Sequence, residues 1–190
     1  MGNRKQSVFE RYNFIIRMIT RLYSLLPINF LKRLLNFHRN TSGKIGYGIR
    51  YCIIKNIAES CGDNVAIDVG VYFINPERMS FGSNVSINPM SYLSGIGGLK
   101  IGNDVSIAHR VTIMTSTHNY ADVSTPIKYQ GLTISPVEIS DNVWIGAGVT
   151  ILSGRKIGYG SIVGANSLVT KDIPDFQIWG GVPAKLLKTR

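Results

Sequence analysis

Cysteine is scarce in this chain: Cys52 and Cys61 are the only two among 190 residues. Two thiols outside any CxxC cannot build a disulfide framework, so a reducing compartment is the expected setting. Acidic side chains are scarce as well, 11 Asp and Glu against 21 Lys and Arg, for a formal charge of +10. No uncharged apolar run reaches the roughly 20 residues that a membrane span needs. Nor does a small-residue cleavage site follow an apolar stretch, so no signal peptide is expected. Proline is held to 7 positions while glycine reaches 20, which excludes a low-complexity linker and points to tight corners in a regular structure. With 44% hydrophobic residues, the chain should fold around one core, as a single domain with an appendage.

The positive charge is uneven. Residues 1 to 40 carry eight Lys or Arg against the single Glu10, a surplus of seven out of the total of ten. Between these charges Phe9, Tyr12, Ile15, Ile16, Ile19, Leu22, Tyr23 and Leu26 recur at three- and four-residue spacing, opposite Glu10, Asn13, Arg17, Arg21 and Ser24. That pattern predicts a basic amphipathic helix, followed after Pro27 by a second short helix in "INFLKRLLNF". Such a segment either caps the chain's own body or lies on an anionic membrane surface through residues 1–37. Nucleic acid is not an expected partner, because nothing resembles a base-reading motif and the basic excess is confined to the tail.

From residue 61 the chain repeats. "CGDNVAIDVGVYFINPERMS", "FGSNVSINPMSYLSGIGGLK" and "IGNDVSIAHRVTIMTSTHNY" stack without gaps, so that Ile67, Ile87 and Ile107 align, as do Phe73, Leu93 and Ile113. After an interruption, Ile139, Ile145, Ile151, Ile157, Val163 and Val169 keep a six-residue beat. Small or branched residues such as Val65, Val85, Val105, Val143, Ser161 and Ser167 fall two positions before the large ones. Period two inside period six describes short strands joined by corners rich in Gly, Asn and Asp, which tolerate positive φ. Three such sides make one coil of about 18 residues, each side stacking in parallel on the side below. The 20-residue rows then carry a two-residue bulge at one corner. Arg155 falls on a small inward slot, so it must be extruded at a bulge or satisfied by a partner.

This beat, with "VEISDNVWIGAGVTILSG", "IGYGSIVGANSLVTKDIP" and "GGVPAKLLK" in that order, resembles the hexapeptide-repeat acyltransferases, and within them the sugar O-acetyltransferases. The resemblance implies an all-β fold, a left-handed parallel β-helix of hexapeptide repeats with an N-terminal helical segment. Residues 1–58 would be that segment, 59–174 the β-helix with a protruding loop at 119–138, and 175–190 a C-terminal extension that helps hold coenzyme A. It further implies transfer of an acetyl group from acetyl-CoA to a hydroxyl, without a metal, in a cytoplasmic homotrimer whose active sites lie between subunits. A galactoside- or maltose-like sugar, or a glycan of capsule, O-antigen or exopolysaccharide, would be the acceptor.

The site residues follow from the same resemblance. His118, in "STHNY" just before the interruption, matches the catalytic histidine, and a neutral imidazole suits a base near neutral pH. A hexapeptide coil has flat faces and no pocket of its own, so a loop is needed to wall one. Trp144 matches a residue beside the pantetheine arm. Backbone N–H groups near Gly146 or Ala147 would stabilise the oxyanion. Ala165, Thr170 and Lys171 match the coenzyme A groove, Lys185 and Lys188 match basic positions near its phosphates, and Asn88 matches a polar residue that touches the sugar. Ile96 departs from the family's acceptor pattern, which leaves a simple galactoside in doubt. His38 and His109 read as solvated. A zinc-dependent relative of the same fold would need a third repeat histidine besides His109 and His118, and none is present. The remaining alternatives are an N-acetyltransferase of an amino sugar or xenobiotic, and a scaffold without activity.

Overall fold

The computed structural model describes residues 14–190. Three helices come first: α1 (14–23), α2 (Ile28–Phe37) and α3 (Gly43–Ile57). In α1, Ile16, Ile19 and Tyr23, with Leu26 just beyond, pack against the core at helical spacing. Ile15 and Leu22, which belong to the same apolar series in the sequence, face outward instead, 51% and 59% exposed. Phe9 and Tyr12 of that series lie outside the described residues. Pro27 is the N-cap of α2, where its missing N–H costs no bond, and α2 buries Leu31 and Leu35 one turn apart. Helix α3 is clamped on several sides and buries the run from Arg50 to Ile54.

The coils begin at Ser60. The first contains β1 (Ser60–Cys61), β2 (Ala66–Ile67) and β3 (Tyr72–Ile74). The second has β4 (Met79–Phe81), β5 (Ser86–Ile87) and β6 (Tyr92–Ser94), and the third β7 (Leu99–Ile101), β8 (Ser106–Ile107) and β9 (Thr112–Ile113). An antiparallel hairpin of β10 (Ser116–His118) and β11 (Leu132–Ile134) interrupts them. The fourth coil is β12 (Val137–Ile139), β13 (Trp144–Ile145) and β14 (Thr150–Ile151), and the fifth β15 (Lys156–Ile157), β16 (Ile162–Val163) and β17 (Leu168–Val169). Last come β18 (Gln177–Gly180), parallel to β16, and β19 (Lys185–Thr189), which turns back antiparallel on β18.

These strands form three parallel sheets, one per side of a triangular β-helix. Sheet A runs β1-β4-β7-β12-β15, sheet B runs β2-β5-β8-β13-β16-β18-β19 and sheet C runs β3-β6-β9-β14-β17. The register is the one the rows predict: Ile67, Ile87, Ile107, Ile145 and Val163 stand over one another in sheet B. Phe73, Leu93, Ile113, Ile151 and Val169 do so in sheet C. All but Phe73 of these ten are at most 1% exposed, and each aliphatic side chain so buried contributes about 1.5–3 kcal/mol. Buried Ser161 and Ser167 replace valine without leaving a polar atom unpaired. The Ser161 hydroxyl donates to Pro174 O at 2.7 Å and Ser167 to Gly164 O at 2.7 Å.

Corners obey residue chemistry. Between sheets A and B, Asn64, Asn84, Asp104 and Asn142 adopt φ of 57° to 60°, a conformation that Asn and Asp tolerate. Their side chains also ladder: Asn64 Nδ2 donates to Asn84 Oδ1 at 3.0 Å, and Asn84 Nδ2 to Asp104 Oδ1 at 2.9 Å. The corner between sheets C and A takes up the extra residues of the longer coils. It carries the 3-10 turn Pro76–Arg78 in the first coil, the turn at 95–98 in the second and the hairpin in the third. Arg155 sits at the same corner, half-buried, where its Nη1 donates to Thr170 O at 3.3 Å and lies 3.7 Å from Asp172. It is both turned out of the coil and satisfied.

Helix α3 closes the first coil. Arg50, 1% exposed, donates Nε to Ile67 O at 2.9 Å and Nη1 to Thr41 O at 2.7 Å and His38 O at 3.0 Å. One guanidinium therefore joins the coil edge to the chain that links α2 and α3, because its fork matches several carbonyls at once. Tyr47 adds a hydrogen bond to Asp68.

Candidate active site

His118 is the last residue of β10 and pairs in register with Leu132. The predicted loop is therefore an ordered arm, and its first strand already contains the histidine. The arm is rooted by buried polar groups. Thr115, 0% exposed, donates its hydroxyl to Ser94 O at 3.1 Å and accepts Gly97 N–H at 2.9 Å. Beyond the histidine, Asn119 N–H donates to Gly131 O at 3.1 Å, and Thr133 Oγ1 donates to Asn119 Oδ1 at 2.6 Å. Gln130 Nε2 donates to the carbonyls of Asp122 and Thr125, each at 2.7 Å. These bonds replace the apolar core that a two-stranded ribbon lacks. The imidazole is exposed and has no hydrogen-bond partner among the described residues, so it is open to an incoming hydroxyl.

Trp144 stands on the outer surface of sheet B, 54% exposed, beside Ser106 in the coil before and Ile162 in the coil after. Next to this column, Ala108, Gly146, Gly164 and Gly180 follow one another coil by coil. Gly146 must be glycine, since a Cβ there would lie 2.6 Å from Ala165 N and 2.8 Å from Val163 O. At Gly164 a Cβ would meet nothing nearer than 3.4 Å, so packing does not demand the bare position. The result is a smooth strip that an extended chain can follow.

The two candidate oxyanion donors differ. The Gly146 N–H is committed to Val163 O at 2.8 Å, whereas the Ala147 N–H, at the corner between sheets B and C, makes no backbone hydrogen bond among the described residues. Ala165 lies at the same corner one coil on and is exposed. Lys185 and Lys188, also exposed, lie on β19, three strands from Trp144 in sheet B, or about 14 Å at the usual strand spacing. A tryptophan, a smooth strip and cations at its far end suit a thioester arm with phosphates at one end. Asn88 shares the outer surface of sheet B two coils before Trp144, half-buried, its Nδ2 donating to Ile107 O at 2.8 Å.

Thr170 and Lys171 fall elsewhere. They follow β17 at the corner between sheets C and A, the corner that also carries the hairpin. The predicted residues thus form two sets. His118, Thr170 and Lys171 line one edge of the triangle, while Asn88, Trp144, Gly146, Ala147, Ala165, Lys185 and Lys188 occupy the face opposite that edge and its border with sheet C. Residues that sequence reasoning missed include Thr115, Asn119, Thr133 and the strip residues Gly164 and Gly180. The signal for Thr115 was available, a polar residue two positions after the inward Ile113.

The comparisons with known proteins agree with this fold. A family model described as bacterial transferase hexapeptide (six repeats) matches residues 136–171. A putative lipopolysaccharide biosynthesis O-acetyl transferase of Escherichia coli is 35% identical over 147 residues, 72% of this chain and 75% of the relative. The chain belongs to the bacterial hexapeptide-repeat transferase family. Among other members, a galactoside O-acetyltransferase of Escherichia coli is 34% identical over 140 residues, 73% of this chain and 68% of that one. The chain spans only 37% of a probable acetyltransferase of Mycobacterium tuberculosis, with 36% identity in the matched part. A solved galactoside acetyltransferase in complex with coenzyme A superposes with a TM-score of 0.75 at 29% identity, covering 90% of this chain and 82% of its own. A hexapeptide-repeat acetyltransferase from Vibrio cholerae, complexed with acetyl coenzyme A, gives 0.74 at 26% identity and 84% of each chain. As a hexapeptide transferase, this chain has the fold on which those relatives carry their coenzyme. Among its described residues no group of three or more metal-ligating side chains converges, and no helix is long and apolar enough to cross a membrane.

Proposed function

We propose that this hexapeptide transferase moves an acetyl group from acetyl-CoA to a sugar hydroxyl, in the decoration of a capsule, O-antigen or exopolysaccharide, with His118 as general base. The observation that carries the reading is the division of the matching residues between one edge of the triangle and the opposite face. An exposed imidazole on a rigid arm needs a second surface to hold the donor, and the smooth strip beside Trp144 is such a surface on a neighbouring copy. A homotrimer supplies three of these junctions, each edge facing the next copy's sheet B. The names of the relatives support the acceptor class, and the coenzyme complexes of the structural neighbours support the donor. Acetyl-CoA also places the reaction in the cytoplasm.

When bound, acetyl-CoA supplies an activated carbonyl. His118 takes the proton as the sugar oxygen attacks the thioester carbon. The Ala147 N–H, which the coil leaves uncommitted, then donates to the developing oxyanion. Collapse of the tetrahedral species breaks the carbon–sulfur bond, and the imidazolium returns its proton to the leaving thiolate, so the products are the acetyl ester and free coenzyme A. No covalent acyl-enzyme is required. Trp144 packs along the pantetheine arm, and Thr170, Lys171, Ala165, Lys185 and Lys188 hold the remainder of the donor. Asn88 orients the acceptor.

The test follows release of the coenzyme thiol from acetyl-CoA with galactosides, maltose and bacterial glycan fragments as acceptors. Acceptor-dependent release should appear with the wild type and fall by about 10²–10⁴-fold in His118→Ala, the usual contribution of a general base. Equal rates in the two proteins would overturn the role of His118, and no acceptor-dependent release from any sugar would overturn the substrate class.

A further inference from the structure

A helix that only caps its own body needs one apolar face, and α1 has two. Ile16, Ile19 and Tyr23 face inward. Ile15, Met18, Leu22 and Leu25 form a second series at spacings of three and four, 51%, 53%, 59% and 79% exposed. At 3.6 residues per turn this second stripe lies between the inward face and the arginines Arg17 and Arg21. Helix α2 continues the surface, with Phe30 at 50% and Phe37 at 80% exposure either side of Arg33, one turn from each. An apolar patch of this extent on a folded surface marks a contact.

Charge says what the contact is with. Residues 14 to 57 hold eight Lys and Arg and no Asp or Glu. Two of the eight are paired, Lys32 with Glu77 at 2.8 Å and Lys55 with Asp63 at 3.1 Å, and Arg50 is buried. Arg17, Arg21 and Arg33 are exposed and have no carboxylate within ion-pair distance among the described residues. A surface that takes aliphatic side chains into its interior and also presents a sheet of negative charge is a bilayer of anionic phospholipid. Among the described residues no helix is long and apolar enough to cross one, so α1 would lie flat in the headgroup region. Its position suits that: α1 and α2 pack on α3, which closes the first-coil end of the β-helix, while the hairpin and β19 lie further along the stack.

We infer that the α1–α2 cap docks the protein on an anionic phospholipid surface, with Ile15, Met18, Leu22 and Leu25 at the headgroup–acyl boundary and Arg17, Arg21 and Arg33 among the phosphates. This rests on the cap alone and stands apart from the proposed chemistry.

Cosedimentation of the full chain with vesicles tests it, using equal parts phosphatidylglycerol and phosphatidylcholine against phosphatidylcholine alone. Binding should be roughly tenfold or more tighter to the anionic vesicles and weaken with added salt. The double variant Met18→Glu, Leu22→Glu, made at exposed positions, should lose about tenfold in vesicle binding with its far-UV spectrum and molar mass unchanged. If that variant fails to fold, Arg17→Gln with Arg21→Gln decides the matter and should weaken anionic binding alone. Equal binding to neutral vesicles would overturn the inference, and so would a folded variant that binds as the wild type. A molar mass by light scattering that falls in the stripe variant would overturn it too, by assigning the stripe to contact between copies.

Discussion

Thr133 Oγ1 donates to Asn119 Oδ1 at 2.6 Å, and this bond joins the two chains of the hairpin one residue beyond His118. Among the described residues the imidazole has no hydrogen bond of its own to orient it, so its position depends on the ribbon that carries it. Thr133→Ala therefore acts on the histidine through Asn119. We expect kcat to fall by roughly tenfold, since small displacements of a reacting group are costly, with KM for acetyl-CoA unchanged. Global stability should change by no more than about 0.5–1.5 kcal/mol, the worth of one hydrogen bond. Thr133→Ser should restore kcat, which a merely structural defect in packing would not allow. Steady-state kinetics on the three proteins decide it.

Arg50 holds the cap to the coil, and its loss should be felt in stability and not in chemistry. Arg50→Ala leaves the carbonyls of Ile67 and Thr41 without the guanidinium donor, while His38 O keeps the Thr41 N–H at 3.2 Å, at about 1–3 kcal/mol for each group left unpaired that water does not reach. Urea unfolding should show a midpoint lowered by at least about 2 kcal/mol of stability. An unchanged midpoint would mean that the cap is held by its aliphatic contacts alone.

The cysteines should be inert. Burial pushes the Cys61 thiol up to about 12, and burial raises Cys52 as well. A raised value means the protonated form persists as pH rises, so at pH 8 roughly one Cys61 in ten thousand is thiolate, the nucleophilic form. Iodoacetamide at that pH should label neither thiol of the native chain in the time that it labels the urea-unfolded chain fully. Mass spectrometry reads the result, and rapid native labelling of Cys61 would contradict it. Inert thiols also leave the coenzyme's own sulfur as the one that a thiol-release assay detects.

The columns of the β-helix were legible because stacking imposes one condition on every coil: the inward residue must be aliphatic and must recur at the same place on each side. Ile107 satisfies that condition from sequence alone. The corner that bears the extra residues was legible as a bulge, and the structure adds that the turns of the longer coils and the whole hairpin leave from the same edge. The loop at 119–138 was legible as an interruption, but its hairpin form was not, because its strands are three residues each and are held by Asn119, Gln130 and Thr133 instead of an apolar alternation. Helix α1 differs from its sequence pattern in one respect. The spacing describes a single apolar face, yet Ile16 turns inward and Ile15 outward, and a pattern counted along the chain cannot divide two adjoining stripes without the body against which one of them packs. Arg50 was hidden for a similar reason, since a basic residue inside a basic segment gives no sign that its partners are carbonyls.

A shared site requires His118 of one copy to work with the Trp144 face of the next. Two inactive variants test this together: His118→Ala, which removes the base, and Gly164→Trp, which fills the smooth strip beside the Trp144 column, where a Cβ meets nothing nearer than 3.4 Å, and leaves the hairpin untouched. Each alone should lose nearly all transfer. Co-expressed in equal amounts, they assemble at random, and one junction in four joins an intact hairpin to an intact face, so about a quarter of wild-type thiol release should return. Activity in the mixture no higher than that of either variant alone would contradict a site shared between copies.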